Sequence, residues 1–455
     1  MLSNFRSNLS FSFLTILIIL PSFFYGGNNS FSFIFFYCCL LIYFLINFEK
    51  IDFKILKYQK SIFTVYFFFL FYLIFQLLPN FNFFFKNFSP QHLYLYNSVT
   101  GVTYKPIALN PYIGIQNLIF FFVYFLVFLI VPKIVQSKRS LSIIFQILII
   151  VGLIHVLFGL FIELFDLVEK NFIFYEKKYY LSSLTGFFIN RNNFSFFLLI
   201  IFIVNFYFLG FYKKYFVFGQ KYNSKFFQFI TSNLLIYRLS LLFISVGIIL
   251  TKSRAGNFSF IVILILITIF EFIRHKKISF NILLIVSIIL IDLLVVSNIL
   301  GLDGLLNRIV ATSIDGEASR FNVFIFGLKE FLNFPLFGYG YGGFEILYRL
   351  NYDVFNTFYN HVHNDFIQFL GEYGIFGAIL FIMLLFSLII NFAKNYKNNI
   401  YELNIIIILS FVVMIIHGNL DFALHIPGNI YLLFFIFSLS FTKIKKSIRI
   451  KNQTS

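Results

Sequence analysis

The stretch His361-Val-His-Asn-Asp365 sets two imidazoles, an amide and a carboxylate directly before an apolar run with glycines at 374 and 377. Imidazole is the side chain best suited to taking a proton near neutral pH, which makes His363 a candidate general base. Two other readings stand beside this one. A helix-boundary histidine can simply satisfy a backbone carbonyl, and His361, His363 and Asp365 can share a metal, because His-x-His is a common zinc pairing. No further strong ligand has recognisable spacing, and the pattern does not choose between the carbonyl-satisfying histidine and the base.

Neighbouring residues suggest how such a histidine is held. Asn364 or Asp365 can cap a helix beginning at Phe366, since a short side-chain oxygen accepts from the unpaired amides of a first turn. His363 then stands at the positive end of that helix, where anions bind. Gly374 and Gly377 fall on one helical face and let a second helix approach. Three arginines form a second group: Arg191 in Asn190-Arg-Asn-Asn-Phe194, Arg254 in Ser253-Arg-Ala-Gly256, and Arg320 near the start of an amphipathic stretch. An arginine at a membrane edge ordinarily just snorkels. In Gly-, Asn- and Ser-flanked settings it also offers phosphate a two-pronged contact that lysine cannot reproduce. Asp421 and His425 lie in a late turn ending at Pro427, where they read as a buried polar network holding the last two helices.

The elements that must position these groups follow from composition. At 60% hydrophobic and 12% charged residues, the chain is far too apolar for a soluble domain. The expectation is an all-α fold, a polytopic transmembrane bundle of about twelve helices, as a single membrane domain over 1–455. Apolar spans fall near 9–25, 30–48, 61–79, 115–132, 140–162, 187–211, 234–251, 258–273, 279–299, 366–392, 400–418 and 427–442. Arg6 precedes an apolar run without a small-residue cleavage site, so the first span reads as an uncleaved helix. Cys38 and Cys39 are neighbours in the second span and point apart, which argues against a disulfide between them. The 75 Phe and 28 Tyr, with no Trp, read as a compositional bias, Tyr supplying the interfacial belt.

Charge placement sets the orientation. Most of the 35 Lys and Arg lie in alternate connections (49–60, 133–139, 212–238, 274–278 and 393–399) and in the two tails. By the positive-inside rule both tails are cytoplasmic. The net charge of +17 is thus a topology signal, and nucleic acid is not an expected partner. Outside, the longest connection is 300–365. It carries an amphipathic helix over 319–333 with an apolar stripe of Phe321, Phe324, Ile325, Leu328, Phe331 and Leu332, stopped by Pro335. Pro335-Leu-Phe-Gly-Tyr-Gly-Tyr-Gly-Gly-Phe344 follows, either a tight re-entrant loop or a close approach to some other backbone.

The pattern His363-Asn364, nine residues, then Gly374-x-x-Gly377 resembles the signature of the O-antigen ligase family and its polymerase relatives. Asn190–Phe194, Ser253–Gly256, Pro335–Phe344 and His417-Gly-Asn-Leu-Asp-Phe-Ala-Leu-His-Ile-Pro-Gly-Asn429 resemble its other motifs, in the family's order. Phe194 keeps the usual aromatic; the Trp that commonly follows the loop arginine is absent, so Arg320 matches less closely. The resemblance implies a twelve-helix glycosyltransferase of the bacterial inner membrane with a large periplasmic loop. It would move a glycan from undecaprenyl diphosphate to an acceptor, lipid A–core first among them, without metal or other cofactor. A polymerase or a protein glycosylase shares the donor chemistry; a lipid-linked glycan transporter is the rival of a different class. By the same resemblance His363 is the catalytic base and Arg191, Arg254 and Arg320 bind the diphosphate. Asn364, Asp365, Asp421 and His425 support them, and membrane lipids surround the bundle.

The topology has a direct test. In intact spheroplasts an impermeant thiol reagent is expected to label Ser313→Cys and not Asn398→Cys. Labelling of both, or of Asn398→Cys alone, rules the arrangement out.

Overall fold

Long apolar runs bounded by Asn, Ser and Pro become helices, because a chain in lipid must satisfy its backbone internally and those residues cap the ends. The computed structural model describes residues 16, 19–27, 30–46, 60–80, 82–98, 104–165, 183–216, 234–276, 287, 316–351, 359–396 and 400–442. The expected span near 279–299, most of that near 9–25, and residues 300–315 of the long connection lie outside them. The described helices are α1 (Ser30–Ile46), α2 (Lys60–Leu77), α3 (Asn82–Phe88), α4 (Pro90–Ser98), α5 (Pro111–Ile134), α6 (Lys138–Leu164) and α7 (Arg191–Phe216). They continue as α8 (Leu235–Leu250), α9 (Arg254–His275), α10 (Gly316–Asn333), α11 (Gly343–Leu350), α12 (Asp365–Asn395), α13 (Tyr401–Leu420) and α14 (Pro427–Ser438). Among the described residues there is no strand, only an isolated bridge between Pro79 and Pro106. Seven helices (α2, α5, α6, α7, α9, α12 and α13) are long and apolar enough to cross a membrane, and α8 and α14 are shorter apolar helices. The chain is a multi-pass helical membrane protein.

At the centre stands α7, whose apolar stretch is 89% buried and which packs on α6, α8, α9 and α13. A second group joins α2 to α12 and α5 to α14. The two ends of the bundle differ in chemistry. At one, buried Glu402 at the start of α13 accepts from Arg274 at the end of α9 (3.2 Å) and pairs with Lys214 at the end of α7 (3.7 Å). Lys138 at the head of α6 lies over the Tyr215 ring there. The other end gathers the starts of α7, α9, α12 and α14 with the finish of α13, and holds the polar cluster described below.

One expectation is corrected in α12. Gly374 does not share a helical face with Gly377 for a neighbouring helix; its φ of 61° and ψ of −172° break the helix. The glycine-rich loop enters the break. Ile375 N donates to Pro335 O (2.8 Å) and Phe376 N to Leu336 O (3.2 Å), while Tyr339 N and Gly340 N donate to Gly371 O and Glu372 O (both 2.9 Å). Helix and loop therefore exchange backbone hydrogen bonds, and the backbone that the loop approaches is α12 itself. Gln76 and Tyr72 of α2 reinforce the junction, Gln76 Nε2 donating to Phe337 O (2.7 Å) and Glu372 O (2.9 Å) and Tyr72 Oη to Tyr373 O (2.6 Å).

The buried face of α10 also differs from the expected stripe. Val323, Phe326, Gly327 and Glu330 face inward, whereas Phe321 and Leu332 are exposed. The cause is Gly327, where a Cβ would come within 2.8 Å of Val362. The small residue lets α10 lie against the head of α12 and so sets its rotation.

Gly374→Ala is expected to lower the thermal midpoint in detergent, since the new Cβ would meet Leu336 O at 2.4 Å in a backbone region that side chains rarely adopt. Gly210→Ala, with nothing within 4 Å of its Cβ, is expected to leave the midpoint unchanged or slightly raised. Equal midpoints for the two variants would remove the structural role assigned to the break.

Candidate active site

Asn364 resolves the capping alternative: its Oδ1 accepts from Phe366 N (3.1 Å) and Ile367 N (3.0 Å), and Asp365 is the first helical residue. Just before it, His363 has a positive φ of 57°, which is uncommon outside glycine. His363 Nδ1 lies 3.1 Å from Asp421 Oδ1, and the imidazole keeps 13% exposure while the carboxylate is buried. Asp421 also receives Asn192 Nδ2 from the first turn of α7 and the amide of Phe422 (2.9 Å). Burial alone would raise its pKa. The hydrogen bond from His363 and the charges of His363, His417 and Arg320 outweigh that and hold the carboxyl below its ordinary range. An ionised Asp421 accepts the Nδ1 proton, so Nε2 is the basic nitrogen of His363.

The three arginines converge on this end of the bundle. Arg191 heads α7 and donates through Nη1 to Ser183 Oγ (3.2 Å). Arg254 heads α9 and is exposed, with Ser253 capping the helix through Gly256 N (3.0 Å). The two first turns touch, because a Cβ on Gly256 would lie 2.4 Å from Ser195 Oγ. Ser195 Oγ in turn lies 3.3 Å from His417 Nε2. Arg320 in α10 is close enough for its charge to favour ionised Asp421.

A second cluster lies beside the first. His425 is buried between Asp365 (Nδ1 to Oδ1, 2.5 Å) and Glu372 (Nε2 to Oε2, 3.2 Å), with Tyr341 stacked on its ring at 5.6 Å. Burial opposes its charge, but Glu372 and Asp365 outweigh burial and push the imidazole up to about 10. Its polar contacts thus run to α12 and the glycine-rich loop, a different connection from the expected tie between the last two helices. His361 takes another course: it stacks on Phe422 at 4.3 Å and meets Gln368, and burial, with His425 and His363 nearby, pushes its pKa down. Among the described residues no group of three His, Cys, Asp or Glu side chains is placed to hold a metal ion.

Asp365, His425 and Tyr341 also form the polar end of a narrow, mostly apolar cavity. It runs along α12 to Leu388 between α5, α13 and α14, with walls of Tyr124, Phe369, Phe434 and Phe437. Neither His363 nor any of the three arginines lines it.

Sequence reading missed Glu372, Gln368, Asn192, Ser195 and His417 as members of these clusters. Glu372 carried a signal, being an acid inside an apolar helix, where charge is expensive unless paired. Asn192 stood inside a quoted motif, but only the fold brings it to Asp421, 229 positions away.

Fold and site together define a multi-pass helical membrane protein with a buried histidine–carboxylate centre at one end of its bundle. Residues 239–382 match the family model described as O-antigen ligase. Over that stretch, 144 of the 455 residues, the chain is similar to this family. The matched stretch contains Arg254, Arg320, His363 and the glycine-rich loop; Arg191, Asp421 and His425 lie outside it. No curated protein matches the chain.

The charge on His425 gives a pH prediction. Its pKa is raised above the ordinary value of about 6.5, so the stabilisation is complete below that value and is lost as pH rises through about 10. Deprotonation leaves Asp365 and Glu372 facing each other without a cation. The thermal midpoint of the wild type is expected to fall more steeply between about pH 9 and 11 than that of His425→Gln. Parallel curves would reject the ion cluster.

Proposed function

We propose that the protein transfers a glycan from undecaprenyl diphosphate to an acceptor hydroxyl, that of lipid A–core foremost, by a metal-independent inverting displacement. The observation that carries this reading is the pairing of partly exposed His363 with buried, ionised Asp421 at the end of the bundle where three arginines gather. His363 Nε2 takes the proton of the acceptor hydroxyl as the oxygen attacks the anomeric carbon. The bond from that carbon to the diphosphate breaks, and its electron pair leaves with the diphosphate. Asp421 fixes the imidazole in the Nδ1-protonated form and stabilises the imidazolium, which then releases its proton to water. Arg191 and Arg254, with Arg320, neutralise the charge that develops on the leaving diphosphate, so no strong general acid is needed. One displacement inverts the anomeric configuration. Asn364 fixes the helix head that carries the histidine.

The charge-rich end of the bundle, with Lys214, Arg274 and Lys138, is the cytoplasmic end by the positive-inside rule, and the site then faces the periplasm of a bacterial inner membrane. Both termini are cytoplasmic in this arrangement, and residues 300–365 form the large periplasmic loop of a twelve-span chain. A polymerase, passing the glycan to another lipid-linked repeat, or a protein glycosylase would use the same centre. A transporter is disfavoured because its site ordinarily lies near mid-membrane between two gates, whereas these groups cluster at one end.

His363→Ala is expected to keep donor binding and lose glycan transfer by on the order of 10²–10⁴-fold. His361→Ala should be much milder, and EDTA should have no effect. Arg191→Lys and Arg254→Lys should each lose most activity although charge is kept. The measurement is transfer from a defined lipid-linked donor to several acceptors by purified protein. Equal losses in the two histidine variants with EDTA inhibition would replace the base by a metal site, and near-normal lysine variants would return the arginines to snorkelling.

A further inference from the structure

His425 has no ring nitrogen left for chemistry, since Asp365 holds one and Glu372 the other. Its contacts, followed outward, return to His363 from two directions. On one side, Asp365 grips the 421–425 turn: its Oδ1 meets His425 Nδ1, its Oδ2 accepts from Leu424 N (2.9 Å), and its amide donates to Asp421 O (3.2 Å). That turn carries the carboxylate that meets His363. On the other side, Glu372 Oε1 accepts from Gln368 Nε2 (3.0 Å), and Gln368 Oε1 accepts from Val362 N (3.1 Å), the residue before His363. Glu372 Oε1 also accepts from Gly342 N (3.2 Å), which brings in the glycine-rich loop. His363, Asp421, the turn, His425, Glu372, Gln368 and Val362 therefore form a closed ring of contacts.

We propose that His425 is a positioning residue which closes this ring and thereby sets the distance and angle between Asp421 and His363. The inference rests on the reading of His363 as the base. A ring held at both ends fixes a side chain more tightly than one hydrogen bond does, and small misplacements of a catalytic group are costly. The positive φ at His363 makes such restraint necessary, because the backbone there has no preference of its own for the observed conformation. The charged groups facing His425 are Asp365 and Glu372 of α12, with Tyr341 from the loop stacked on it and the His361 ring 5.4 Å away. A cation between two carboxylates holds its place without a water bridge, which suits a pin.

A double-mutant cycle on transfer rate tests this. In purified full-length protein, His425→Gln is expected to lower kcat roughly 10- to 100-fold while KM for the lipid-linked donor stays within about threefold. In an Asp421→Asn background the same His425→Gln change is expected to cost less than about threefold more, because the pair it positions is already broken. Glu372→Gln, which removes a charge and keeps the size, should repeat both results. Independent, multiplicative losses in the double variant would overturn the proposal, as would a kcat loss matched by loss of folded protein or by a parallel rise in KM. His363→Ala runs alongside: transfer retained by that variant sinks the base reading itself, whereas its inactivity with a normal His425→Gln sinks the positioning role alone.

Discussion

The site depends on a helix that stops being a helix at one residue. Where α12 opens at Gly374, its own carbonyls at 371 and 372 lose their usual partners and take amides from the glycine-rich loop instead. In lipid an unpaired backbone group costs several kcal/mol, on the order of what water would otherwise supply, so the break exists only because the loop fills it. Loop and helix are thus obligatory partners. Because the loop is fixed there, Tyr341 and Gly342 reach His425 and Glu372, and through them the turn that carries Asp421.

Two charge arrangements then divide the labour along the bundle. At the far end, Glu402 with Arg274 and Lys214 ties three helices by pairs that reach water on one side. At the site end the pairs are buried and built from histidine. One imidazole is held cationic, one neutral, and one, His363, stays partly exposed. His425 and His361 are driven apart in charge by their neighbours rather than by their own chemistry, carboxylates favouring the cation in one and burial the neutral ring in the other.

Much of this was legible beforehand. Hydropathy marked the helices because lipid leaves a spanning chain few other choices, and the residue types at 191, 254, 320 and 363–365 marked the end of the bundle where they meet. What periodicity could not convey was local. Gly374 and Gly377 have the spacing of a helix contact, and nothing in three residues reveals that the first adopts ψ near −172°. The stripe on α10 was misplaced because Gly327, an unremarkable letter in an amphipathic run, sets the rotation by its closeness to Val362. The links from Asn192 to Asp421 and from Glu372 to His425 join distant segments, and one sequence carries no record of such meetings.

The central position of α7 has a consequence for biogenesis. Its first turn supplies Arg191 and Asn192, yet Asp421 and Asn429, the residues that meet that turn and its neighbour, belong to the finish of α13 and the start of α14. During translation more than two hundred residues emerge between the arrival of Asn192 and that of Asp421. Until then the first turn of α7 has no carboxylate to meet, and His363 has no orienting partner. A partly translated chain therefore holds the first turn of α7 before its buried partners have been made. The polar cluster is completed only when the segments after α12 arrive, so this end of the bundle closes late in biogenesis.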